Sequence, residues 1–127
     1  MSVSLYYRAR RAEPVTEGER VAVRRIVAAH EASFPYLDEE CLVLWPSRVG
    51  APADEILAGS TRMPSVPGRV LPVIVQVLGA VTALRRALPG AAWHVHLDDL
   101  DVGWDERSGY ALPGMRDPRF AAELADL

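Results

Sequence analysis

The sequence predicts an α+β two-layer sandwich with the element order β-α-β-β-α-β and a short C-terminal extension, on three observations. Val3, Leu5, Tyr7 and Ala9 alternate with Ser4, Tyr6, Arg8 and Arg10, the period-two pattern of a strand with one buried face. Residues 17–32 and 69–88 instead repeat apolar side chains at helical spacing. The remaining apolar runs are short and are closed by proline or glycine, which marks strands rather than further helices.

Residues 3–10 form the first expected strand. Thr16 followed by Glu19 is a capping box, in which each side chain accepts a hydrogen bond from a free amide of the first helical turn. Val23, Ile26, Val27, His30 and Phe34 then share a stripe, so a helix is expected over residues 17–32, ending before Pro35. C-L-V-L-W at 41–45, closed by Pro46, and I-L-A-G-S-T-R-M at 56–63, closed by Pro64, read as a hairpin across a turn-rich connection. The second helix, residues 69–88, carries Val73, Val77, Val81, Leu84 and Leu88 on a stripe widened by Ile74, Val75 and Leu78, which predicts burial on more than one side. Arg85 and Arg86 sit at its negative end and Pro89-Gly90 stops it. Pro72 must lie in its first turn or kink it.

Trp93, Val95 and Leu97 alternate with His94, His96 and Asp98 in a fourth strand, and a short fifth is expected near Tyr110 to Leu112. Asp117-Pro118 resembles the start of a final helix presenting Phe120, Leu124 and Leu127 on one side. This order is that of ferredoxin-like folds, in which both helices cover one face of the sheet and the first and last strands are neighbours. Tyr6, Arg8 and Arg10 are then expected beside His94, His96 and Asp98 on the uncovered face.

At 127 residues the chain fits one domain, 1–127. A net charge of −3 provides no basic field for phosphates or anionic lipid, so neither nucleic acid nor membrane is an expected partner. All 14 basic residues are arginine, and lysine and asparagine are absent, as in a GC-rich bacterial coding sequence. One cysteine, Cys41, rules out an intrachain disulfide and a multi-cysteine zinc site. The N-terminus lacks the pattern of a secretion signal, and the longest apolar stretch, residues 70–84, is too short and interrupted for a membrane span. A cytoplasmic protein is expected.

The segment W-H-V-H-L-D-D-L-D-V-G-W-D-E, residues 93–106, concentrates the chemistry of the chain. His94 and His96 at i and i+2 on a strand point the same way, and with Asp98 they could ligate a metal, but no third histidine or cysteine stands at a recognisable distance. The order of acidic residues around Gly103 does not match an EF-hand loop. Cys41 lies in an apolar strand, where a thiol is inert packing, and His30 lies on the apolar stripe of a helix. No G-x-S-x-G elbow or glycine-rich phosphate loop occurs, and the RNP1 pattern of an RNA-binding sheet is missing.

What remains is a protein-binding surface: an acidic loop of Asp98, Asp99, Asp101, Asp105 and Glu106 with Trp104 as aromatic anchor, set beside the sheet face of Tyr6, Arg8, Arg10, His94 and His96. The segments L-Y-Y-R-A-R-R-A-E-P-V-T-E-G-E, L-A-G-S-T and W-H-V-H-L-D-D-L-D together resemble small proteins of GC-rich bacteria, some of which resemble the immunity partners of polymorphic toxins. That resemblance implies a small acidic domain without catalytic residues and transfers no functional residue. The expectation is a non-enzymatic protein without cofactor that docks a basic partner protein through the acidic loop. The alternatives are a small metal-dependent enzyme or ligand-binding domain built on His94, His96 and Asp98, and a subunit that forms a homo-oligomer through its open sheet face or an edge strand.

Overall fold

The computed structural model describes residues 3–46 and 50–112 and has an antiparallel sheet and two helices. Strand β1, Ser4–Arg10, pairs antiparallel with β2, Glu55–Arg62, on one side and with β3, Ala92–Leu97, on the other; β3 carries β4, Leu100–Asp101, at the edge. Helix α1, Glu17–Ser33, connects β1 towards β2, and α2, Pro67–Ala87, connects β2 to β3. A separate hairpin of β5, Gly103–Asp105, and β6, Gly109–Ala111, packs on α2.

Helix α1 begins where its capping box requires. The Thr16 hydroxyl accepts the Glu19 amide at 3.1 Å, and the Glu19 carboxylate accepts the Thr16 amide at 2.9 Å. Arg11, just beyond β1, binds the same carboxylate through both Nη atoms at 2.7 and 3.0 Å and also donates to the Pro89 carbonyl at 2.9 Å. One guanidinium thus joins the end of β1, the first turn of α1 and the turn after α2.

The longer apolar stripe of α2 makes it the central helix. Val73, Ile74, Val77, Leu78, Val81 and Leu84 are buried in one cluster with Leu5, Tyr7 and Ala9 of β1, Leu57 of β2 and Val95 of β3. The helix starts at Pro67, so Pro72 falls sixth, beyond the first turn, and the Gly68 carbonyl loses its amide partner. Its 21 residues also correct the expectation drawn from residues 70–84. By length and composition α2 could cross a bilayer, although eight of its residues are buried inside the domain.

Two other expectations are corrected. The strand over 41–45 is reduced to a single bridge, Leu44 with Gly59, supported by Trp45 N–H to the Ala58 carbonyl at 2.8 Å and Ser60 N–H to the Val43 carbonyl at 3.2 Å. The physical reason is Tyr7, whose hydroxyl accepts the Val43 amide at 2.8 Å and so withdraws it from the ladder. The stretch expected as an acidic loop folds into β4 and β5. Asp98 and Asp99 form a two-residue turn, Asp98 with φ of 47°, a conformation aspartate tolerates better than most residues. Val102 is then buried and donates to the Val95 carbonyl at 2.9 Å. The fifth strand expected near Tyr110 is β6; the terminal helix of Asp117, Phe120, Leu124 and Leu127 lies outside the described residues.

Candidate functional site

The register of β1 against β3 places Tyr6 opposite His96 and Arg8 opposite His94 on the sheet face turned away from the buried cluster. The Tyr6 and His96 rings stack at 5.0 Å, and the two histidine rings follow at 4.6 Å, so the three form one ladder across the strands. His96 gives its Nδ1 proton to the Asp98 carbonyl at 2.7 Å, and His94 gives its Nε2 proton to the Asp101 carboxylate at 3.0 Å, since neither oxygen can donate. Arg8 is exposed within this group. Arg10 is not part of it: it stands opposite Ala92 and its guanidinium pairs with Asp54 at 2.9 Å.

The six residues expected to bind a partner divide by role. Asp98 shapes the turn, its carboxylate accepting the Ser4 amide at 3.2 Å and its own amide donating to the Ser4 carbonyl at 3.0 Å. Asp105 caps the next turn by accepting the amides of Arg107 and Ser108, each at 2.9 Å. Trp104 is half-buried rather than presented as an anchor: Arg85 lies 4.2 Å over its ring, Tyr110 meets its edge at 4.9 Å, and its indole N–H donates to Glu106 at 3.0 Å. Asp99 is exposed at the hairpin tip, and Asp101 beside it in β4 keeps 83% of its side chain exposed while one oxygen accepts from His94.

A second acidic group, Asp38-Glu39-Glu40, was visible as a charge run but not singled out. It follows α1 and, with Val3, Arg62 and Met63, lines a cavity of about 540 Å³. Arg62 stands opposite Ser4, the residue that holds Asp98, so the two acidic groups share one end of the sheet. Arg69 anchors the second group. Its Nη1 reaches both oxygens of Asp38 at 3.0 Å, holding that carboxyl below the usual carboxylate range, and its guanidinium lies 4.7 Å over the Tyr36 ring.

Among the described residues no group of three or more His, Cys, Asp or Glu side chains is placed to hold a metal ion, and His94, His96 and Asp98 form no such group. Cys41 is half-buried, and burial raises its thiol pKa, which disfavours the nucleophilic thiolate. His30 is buried with its Nε2 accepting the Leu42 amide at 3.1 Å, and desolvation lowers its pKa. It therefore joins α1 to the segment at 42.

No family model, no curated protein and no solved structure matches this chain.

Proposed function

We propose that this protein is a non-enzymatic binding domain, of the immunity-inhibitor kind, that docks a basic protein partner through the acidic end of its sheet. The observation that carries the reading is the convergence of two acidic groups on that end, Asp98, Asp99 and Asp101 from the β3–β4 hairpin and Asp38, Glu39 and Glu40 from the segment after α1. In the second group the Asp38 side chain is 73% exposed while Glu39 is largely buried near Arg69, and exposed charges of this kind act mainly through encounter rate and partner choice. The same proposal assigns the fold to the ferredoxin-like type, with the segment at 42–45 in the place of the missing edge strand, because its contacts with β2 extend the sheet on that side.

Asp99 and Asp101 are the residues to change, because Asp98 and Asp105 also hold turns. A protein captured from the native host should bind Asp99→Asn/Asp101→Asn about tenfold more weakly, equivalent to about 1.4 kcal/mol, and should bind the unaltered domain more weakly as salt rises. Unchanged affinity in both experiments would remove the acidic end from the interface and the proposal with it.

A further inference from the structure

The opposite end of β3 carries a site of the other polarity. Where α2 ends above the β5–β6 hairpin, a cavity of about 320 Å³ is lined by Arg85, Arg86, Leu88, Trp93, Trp104 and Glu106. Its volume falls at the lower bound of small-molecule pockets. Both arginines are fixed in place: Arg85 Nη1 donates to the Tyr110 hydroxyl at 2.9 Å with its guanidinium over Trp104, and Arg86 Nη2 donates to the carbonyls of Glu106 and Arg107 at 3.3 and 3.2 Å.

None of these partners is an anion. Each guanidinium has five N–H donors, and the bonds formed here use only part of them. The carboxylate on the lining, that of Glu106, already accepts the Trp104 indole proton. Two consecutive cations therefore face a cleft that also holds two indole rings and the Glu106 carboxylate. Such a cleft complements a molecule with an anionic head and an apolar body: a carboxylate suits the planar fork of a guanidinium, and an apolar body suits the Trp93 ring. Trp93 contributes its ring only, because its Nε1 is sealed below the surface without an acceptor.

We propose that this cavity binds a small organic carboxylate, with Arg86 and Arg85 pairing the head group and Trp93 and Trp104 holding the body. The site stands apart from the acidic end and does not depend on the docking proposal.

The test is a titration of ¹⁵N-labelled protein with benzoate, following the indole N–H resonances, with benzyl alcohol and inorganic phosphate in parallel. Trp93→Phe assigns its resonance. Benzoate should shift the Trp93 and Trp104 signals saturably with a Kd of about 1 mM or tighter, the scale set by its size. Benzyl alcohol should produce no saturable shift, and phosphate should bind more weakly than benzoate. Arg86→Ala should weaken benzoate about tenfold, as loss of one charge-assisted bond would. Arg86→Gln, which keeps a donor for the two carbonyls, decides the point should the alanine variant fold poorly, and it should weaken benzoate similarly. The proposal is overturned by signals that stay fixed up to about 10 mM benzoate. An equal response to benzyl alcohol, tighter binding of phosphate, or unchanged affinity in the folded Arg86 variant would also overturn it.

Discussion

The Tyr7 and Thr61 hydroxyls lie 3.0 Å apart in the core, and together they hold the segment at 41–43 against the sheet. Val43 N–H donates to the Tyr7 oxygen at 2.8 Å, and the Thr61 hydroxyl donates to the Cys41 carbonyl at 2.9 Å. With the threonine proton so placed, the Tyr7 proton is shared between the Thr61 oxygen and the Val43 carbonyl, each at 3.0 Å, and that carbonyl also accepts Ser60 N–H. Burial pushes the phenol up to about 12, so it remains a donor throughout the neutral range.

Tyr7→Phe keeps the buried ring and removes the hub of this chain, leaving the Val43 amide without its acceptor. The expected cost is about 1–3 kcal/mol, the penalty for an unsatisfied buried donor, read from urea unfolding. Thr61→Val should be non-additive with it in a double-mutant cycle, because the two hydroxyls share one chain. Additive losses would show that the hydroxyls act independently.

Gly59 and Gly79 should respond in opposite directions to the same substitution. A Cβ on Gly59 would occupy the place of the Val43 carbonyl and the edge of the Tyr7 ring, so backbone must move. Gly59→Ala is expected to cost about 1–3 kcal/mol and to speed hydrogen exchange at the Trp45 and Ser60 amides, which tie the segment to β2. Gly79 lies in α2 with open space around it, so Gly79→Ala should stabilise by about 0.5–1 kcal/mol. Equal effects at the two positions would show that the close approach of residue 43 does not limit Gly59.

These residues also show what the sequence made legible. Both helices could be read because Thr16 and Glu19 specify a start and the apolar residues of α2 repeat at one spacing. The facing of Tyr6 and Arg8 to His96 and His94 followed from strand alternation and neighbouring position. Tyr7 shows where such reading ends: alternation marks it as buried, but nothing local indicates that its hydroxyl will take the amide of a residue 36 positions away and cut short a strand. Strands β4 and β5 were missed for a different reason, although β6 was expected. The inward pair Val102 and Trp104 is too short a pattern to outweigh the surrounding aspartates. The shared acidic end arises from tertiary structure, since Asp38 and Asp99 are brought together by the sheet.

Glu19 should govern part of the acid response. Its bonds to Arg11, and then to the Thr16 amide, lower its pKa from 4.5 to about 2. The unfolded chain therefore binds this proton first as acid is added, so the carboxylate's contribution is present above about pH 4.5 and is lost as pH falls towards 2. Glu19→Gln keeps the reach of a capping-box side chain but does not titrate. Its stability should vary less with pH across that window than that of the unaltered protein. Parallel curves would show that the Arg11 pair contributes no pH dependence.

His30 should act in a separate, less acidic window. The side chain is 5% exposed, and its Nε2 accepts the Leu42 amide, so the folded form holds a neutral imidazole with the proton on Nδ1. Desolvation lowers its pKa from 6.5, outweighing the opposing influence of Glu31 and of the Gln76 backbone. Below about pH 6.5 the unfolded chain takes up a proton that the folded chain resists, so the stability from this residue is complete above that pH and declines as pH falls through the lowered value. His30→Gln supplies an oxygen for the Leu42 amide without a titrating ring, which separates protonation from the loss of an acceptor. Urea unfolding at about pH 7.5 and about pH 5 should show a larger loss for the unaltered protein than for His30→Gln. An equal loss in both would place the pH response elsewhere and leave His30 as a packing residue alone.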